Sequence, residues 1–188
     1  MIYIKDDFLD EELFRHLQNY LTDFKEFDTP NKKFYVMHPP EGLVEHIEDK
    51  VSKIEGVKVK SILSFFRQCK ENQDNEWRIH NDSIIEGQQP DRAIVIYMND
   101  NKRALNGTAF WQHKTKGDFF QYSDDGQFDE MLKEDSNDKS KWNLKSVIGC
   151  KENRLISYPC NYFHSKYPNE FKKERKVFVM FYKTIKQK

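Results

Sequence analysis

Cysteine is scarce in this chain: Cys69, Cys150 and Cys160 make an odd number with no C-x-x-C spacing among them. That argues against both a disulfide-stapled scaffold and a zinc ribbon. Glycine and proline are few as well, 7 and 6 in 188 residues, and no Pro/Gly/Ser-rich linker divides the sequence. The expectation is one domain over 1–188 with a substantial core. No uninterrupted apolar run approaches a membrane span, so no membrane partner is expected. The opening Met1-Ile2-Tyr3-Ile4-Lys5-Asp6-Asp7 has neither the basic nor the apolar region of a secretion signal, which makes a cytoplasmic protein the expectation. Net charge is missing too, 31 Lys and Arg balancing 31 Asp and Glu, which removes any global pull toward nucleic acid or a lipid surface.

What the chain has is aromatic side chains. Its 15 Phe, 9 Tyr and 3 Trp stand in a sequence only 37% hydrophobic, which predicts an aromatic-rich core under a charged exterior. A short strand is expected over 2–4. A helix follows, with Asp10 as N-cap, Glu11 and Glu12 in its first turn, and an apolar face of Leu13, Phe14, Leu17, Tyr20, Leu21 and Phe24. A strand over 32–37, a break at Pro39-Pro40, a helix over 42–54 and a long strand over 57–68 come next. From Trp77 onward short strands dominate, with turns at 87–91, 99–106 and 159–162. Many short strands behind two helices indicate a mainly β (α+β) fold, a double-stranded β-helix or cupin-like jelly roll with 1–60 as a helical support region.

The stretch 77–111 organises the chemistry. His80 and Asp82 stand two residues apart, and near a strand end side chains at i and i+2 lie on one side of the backbone, so both could reach one divalent ion. A third ligand must come from elsewhere, and His164, at the end of the run 153–164, is the candidate. H-x-[DE] alone is weak evidence: six His among 31 acidic residues in 188 give about one such match by chance. His46-Ile47-Glu48 is a second match, on a predicted helix, and reads as a surface or groove residue.

Order and context select His80. The series His80-x-Asp82, Tyr97-Met98-Asn99, Asn106-Gly107-Thr108-x-Phe110-Trp111, His164 and then Arg175 opening an apolar strand resembles the Fe(II)/2-oxoglutarate-dependent dioxygenases, most closely their prolyl-4-hydroxylase-like branch. The resemblance covers about the last two thirds of the chain. It implies His80, Asp82 and His164 as ligands of Fe(II), with 2-oxoglutarate and O2 as cosubstrates and succinate and CO2 released as a substrate is hydroxylated. It implies Arg175 as the cation for the far carboxylate of 2-oxoglutarate, since a guanidinium binds a carboxylate through two parallel hydrogen bonds. Arg175, Val177, Val179 and Phe181 share one strand parity, with Lys173 the fallback cation and Lys172 and Lys176 pointing to the other side, toward solvent.

Tyr97 occupies the place where the family often supplies a phenol to the cosubstrate, and a core tyrosine fits equally. Thr108 lines the pocket or packs. Cys160 reads as a small interior residue, His113 as exposed or substrate-proximal, Arg154 as structural, and Arg67 and Arg78 as residues facing the barrel mouth. The stretch 112–148, with the acids Asp124, Asp125 and Asp129 and a helix near 128–133, exceeds the family's usual connection; a lid and a solvated excursion both fit. The resemblance suggests a peptide or protein side chain, such as a prolyl residue, as the substrate, and a small molecule also fits. The basic end 172–188 suits contact with a nucleic acid or an acidic protein, and a lysine-defended strand edge equally well. Two other functions keep the same fold: a cupin-like metalloenzyme without 2-oxoglutarate, and a non-catalytic jelly-roll binding module.

Overall fold

Two strands explain the architecture. Arg92–Tyr97 and Arg175–Ile185 read as nearly unbroken apolar runs because both of their faces are covered. Ala93, Val95, Tyr97, Val177 and Phe181 point to one buried cluster, while Ile94, Ile96, Phe178, Met180 and Tyr182 point to another on the opposite side. The computed structural model describes residues 1–29, 32–70, 76–99, 107–119, 127–169 and 174–185.

Among these residues, seven strands form one antiparallel sheet in the order β1 (Tyr3–Lys5), β8 (Leu155–Pro159), β5 (Arg92–Tyr97), β10 (Arg175–Ile185), β4 (Lys58–Cys69), β3 (Lys32–Met37) and β2 (Lys25–Thr29). A smaller sheet runs β7 (Trp142–Ile148), β6 (Gly107–His113), β9 (His164–Tyr167). The helices α1 (Glu11–Tyr20) and α2 (Leu43–Glu55) lay Phe14, Leu17, Leu43, Ile47 and Val51 on the outer face of the large sheet. Its inner face meets Phe110 and Ile148 of the small sheet. A third cluster, Ile79, Trp111, Met131, Trp142 and Phe163, joins the small sheet to α3 (Gln127–Asp135). This is a jelly roll with flanking helices.

Local details follow the residues. Gly42 and Gly56 bound α2 in left-handed conformations, φ 77° and 68°, the geometry glycine adopts without steric cost. Asp10 stands at the N-cap of α1, but its carboxylate makes no capping bond and lies 3.5 Å from Lys50 Nζ. The helix ends at Tyr20; Phe24 lies beyond it and packs on the same core. Hydrophobic spacing alone extends the helix too far. The edge strand β2, of sequence KEFDT, has no such spacing to reveal it.

Two expectations are corrected. The stretch 112–148 is not wholly an addition to the jelly roll: Trp142–Ile148 is β7, paired along β6 with a bulge at Phe110/Trp111, and the helix expected near 128–133 is α3. Asp124 and Asp125 lie outside the described residues. Of the basic end, Val177–Tyr182 is not a strand edge, because β4 and β5 flank β10 there. Lys172, Lys173 and 186–188 lie outside the described residues.

Candidate active site

His80 and His164 are joined through their main chains. The His80 N–H donates to the His164 carbonyl at 3.0 Å, and the His164 N–H donates to the His80 carbonyl at 2.8 Å. The Asp82 N–H donates to the Cys160 carbonyl at 2.8 Å. Segment 80–82 is therefore no strand, but an isolated bridge onto the start of β9. In such a pair both side chains project to one face, and the imidazole centroids lie 4.5 Å apart. One donor atom from each of His80, Asp82 and His164 lies within 4.8 Å of the other two.

Each imidazole is oriented from behind. His80 Nδ1 is 2.7 Å from the Arg78 carbonyl, and His164 Nδ1 is 3.0 Å from the Tyr162 carbonyl. A carbonyl only accepts, so each Nδ1 carries the hydrogen and each Nε2 is the ring atom with a lone pair to offer. These Nε2 atoms face Asp82, at 3.6 Å to Oδ1 from His80 and 3.3 Å to Oδ2 from His164.

Burial pushes the Asp82 carboxyl up, but His164, His80 and Arg67 together hold it below its ordinary value. Burial pulls His164 down, and the Asp82 charge, the hydrogen bond to it and the Tyr162 carbonyl leave it raised. Burial and the His164 charge bring His80 down to about 4. The Asp82 carboxylate thus supplies the negative charge that a cation between the two imidazoles would meet.

A cavity of about 120 Å³ opens beside the triad. Its apolar wall is Phe65 of β4, Val95 of β5, and Val177, Val179 and Phe181 of β10. Arg175 and Thr108 also line it. Arg175 is buried, with its guanidinium carbon 5.4 Å from the Tyr97 ring centroid. The Tyr97 hydroxyl lies 2.9 Å from Thr108 Oγ1, so Tyr97 stands one side chain behind the wall, its phenol pushed up by burial. Gly107 shows why that motif needs glycine: a Cβ there would fall 1.8 Å from the Ile148 carbonyl oxygen.

Tyr158 was not among the residues expected here. Its hydroxyl is 3.2 Å from His164 Nε2, and burial followed by the Asp82 charge pushes its phenol well above the ordinary range. The signal was available, since Tyr158 shares its parity on β8 with the inward-facing Ile156.

A second missed group lies behind His80. Asn137 Oδ1 accepts the Arg78 N–H at 2.9 Å, and the Ser136 carbonyl accepts the Ile79 N–H at 2.9 Å. Arg78 has φ 47°, an unusual conformation for a side-chain-bearing residue, and its carbonyl is the one that orients His80. Nothing in the spacing of Asn137 announces this, because the contact spans the turn after α3.

The remaining candidates fall elsewhere. His113 is not exposed: it is 3% accessible, its Nε2 is 3.0 Å from Asp135 Oδ2, and Nδ1 accepts from the Lys116 N–H at 3.1 Å. The preceding Trp111 is itself core, and the strand carries His113 inward with it. Lys176 does point away from Arg175, but Nζ donates to the Leu21 carbonyl at 3.0 Å and sits over the Phe24 ring, under the end of α1 and not in solvent. Arg154 is ion-paired with Asp6 at 2.6 Å. Cys160 is buried and its thiol is pushed up by burial, the opposite of what a ligating thiolate needs. Arg67 and Arg78 both line the cavity.

No protein-family model matches the chain, and no curated protein sequence matches it. Solved structures do. HygX from Streptomyces hygroscopicus, with nickel and 2-oxoglutarate bound, superposes with a TM-score of 0.64 at 9% identity, over 97% of this chain and 82% of that one. A Pseudomonas putida prolyl-4-hydroxylase gives 0.58 at 9% identity, over 97% and 91%. The viral collagen prolyl hydroxylase vCPH from Paramecium Bursaria Chlorella virus-1, in its 2-oxoglutarate complex, gives 0.58 at 11% identity, over 98% and 96%. At such identities the likeness is one of fold, and the fold is the jelly roll these enzymes share.

Proposed function

We propose that this protein is a non-haem Fe(II)- and 2-oxoglutarate-dependent dioxygenase that hydroxylates its substrate. The observation that carries the reading is the meeting of His80, Asp82 and His164 within 4.8 Å, beside a cavity that a buried Arg175 also lines. The donor set fits the ion: two neutral imidazoles and a carboxylate are the ligands of non-haem Fe(II) oxygenases, and they leave coordination positions open. Bound there, iron supplies the redox chemistry that converts 2-oxoglutarate and O2 to succinate and CO2, one oxygen atom entering succinate and the other the substrate hydroxyl.

The chain's own residues do the rest. The carbonyls of Arg78 and Tyr162 fix the imidazoles with Nε2 forward. Arg175 holds the far carboxylate of 2-oxoglutarate, and the hydroxyls of Thr108 and Tyr97 form a polar patch beside it. Phe65, Val95, Val177, Val179 and Phe181 keep water from the reacting centre. Residues 127–141 act as a buttress to the 77–80 segment and not as a lid, through the Asn137 and Ser136 contacts. Both a peptidyl side chain and a small molecule suit a neighbourhood of folds that includes prolyl hydroxylases and HygX with hygromycin B bound.

The test is turnover of 2-oxoglutarate in air. Succinate formation that requires added Fe(II), and that is lost in Arg175→Ala, supports the reading. Metal-dependent turnover indifferent to 2-oxoglutarate would replace it with a cupin-like enzyme.

A further inference from the structure

Tyr158 puts a phenol where the ion would sit, and neither the ligand set nor the cosubstrate contacts make use of it. It lines the cavity together with His80, Asp82 and His164. Its hydroxyl oxygen lies 3.2 Å from Nε2 of His164, the ring atom that would meet the ion.

A metal and the phenol hydrogen cannot share that atom. A hydrogen bond to Nε2 places the hydroxyl oxygen on the side of its lone pair, and a metal–imidazole bond of about 2.1 Å uses the same direction. An ion there falls within about 3 Å of the phenol oxygen.

The phenol has little room to withdraw. Tyr158 is buried, and its ring packs on Phe110 and on the His164 imidazole with centroids 5.2 Å and 4.7 Å away. Its backbone is held in β8, opposite Ala93 of β5. The cluster around the ring includes Ala93, Phe110, Ile148 and Ile156, which a phenylalanine would fill as well; the hydroxyl is what tyrosine adds.

Charge favours the same arrangement. A divalent ion paired with the Asp82 carboxylate keeps one net positive charge in a site whose Asp82 and His164 side chains are largely enclosed, and a phenolate cancels it. The metal-binding carboxylate of 2-oxoglutarate cancels it equally, so the two can exchange at constant charge.

We propose that the Tyr158 oxygen is a fourth protein ligand of the metal, held until 2-oxoglutarate displaces it. On metal binding the phenol O–H bond breaks, an oxygen–metal bond forms and the proton passes to water; displacement by the cosubstrate returns a proton from water to the phenolate. This inference rests on the oxygenase reading and adds a guard to it, because the position is closed to other small ligands while no cosubstrate is bound.

The test loads the full chain with one equivalent of Fe(III) and no 2-oxoglutarate, since a phenolate bound to ferric iron absorbs in the visible. Wild type is expected to show this charge-transfer band, to lose it as 2-oxoglutarate is titrated in, and to keep its mass, which excludes oxidation of the ring. Tyr158→Phe is expected to bind the iron at least about tenfold more weakly and without the band, and Tyr97→Phe to retain the band. If Tyr158→Phe does not fold, resonance Raman excitation of the wild-type band takes its place, with tyrosinate ring modes that shift in protein made with ring-deuterated tyrosine as the expected result. Iron bound to wild type without the band overturns the proposal and leaves the oxygenase reading standing. So does a band undiminished in Tyr158→Phe, or one that survives saturating 2-oxoglutarate. Failure of wild type to bind either Fe(II) or Fe(III) overturns the oxygenase reading first, and this inference with it.

Discussion

His80 and His164 exchange both hydrogen bonds of an antiparallel pair, at 3.0 and 2.8 Å, so two side chains far apart in sequence are set on one face by backbone alone. The placement does not depend on the imidazoles. His80→Ala and His164→Ala are therefore expected to fold with far-UV circular dichroism like wild type, yet to lose Fe(II) affinity by more than about a hundredfold, beyond what outer residues cost. Iron content after gel filtration measures this, and stoichiometric iron in either variant removes that residue from the ligand set.

Arg175 enters the cavity wall from the first residue of β10. Arg175→Ala should raise the KM for 2-oxoglutarate by about ten- to a hundredfold, the worth of a charge-assisted pair. Arg175→Lys should recover only part of this, because an ammonium cannot make the two parallel bonds. Unchanged KM in both variants contradicts the assignment.

Asn137 does not itself line the cavity, but it accepts the N–H of Arg78, whose carbonyl orients His80. Asn137→Ala is expected to weaken Fe(II) or Co(II) binding by about tenfold, in the range of outer-residue effects. Asn137→Asp, which keeps the accepting oxygen, should restore it. A chelator-competition titration decides, and equal affinity in Asn137→Ala and wild type would make the contact merely structural.

Asp6 binds Arg154 at 2.6 Å and Lys151 at 2.9 Å, and those hydrogen bonds lower its carboxyl from 3.8 to about 2. A carboxyl with a depressed folded-state pKa adds stability above its unfolded value of 3.8 and loses it as pH falls toward 2. The pair is partly exposed, so the contribution is roughly 1 kcal/mol. Urea unfolding should show Asp6→Asn destabilised by about that much at neutral pH, with the gap to wild type narrowing only below pH 3.8. A gap independent of pH would contradict the ion-pair origin.

The parts of this molecule legible in its sequence are those with local periodicity or a fixed parity. Arg175, Val177, Val179 and Phe181 alternate, and all four line the cavity; α2 is framed by its two glycines. What could not be read arises from long-range pairing. Strand β7 looked like part of a surface excursion because Asn143 to Val147 are exposed between a buried Trp142 and Ile148; only its partner β6 makes it a strand. The same reason hid the burial of His113 and the role of Asn137, which depend on α3 folding back against the small sheet. Lys176 has the parity expected of it, but parity names a face of a sheet and not what covers that face.

The most direct measurement is anaerobic titration of the metal-free protein with Fe(II) and then 2-oxoglutarate, recorded in the visible range. The account predicts one equivalent of iron, a weak chelate band that appears only when both are present, and no band in His164→Ala. Iron bound without a band on adding 2-oxoglutarate, or a band undiminished in His164→Ala, would contradict it.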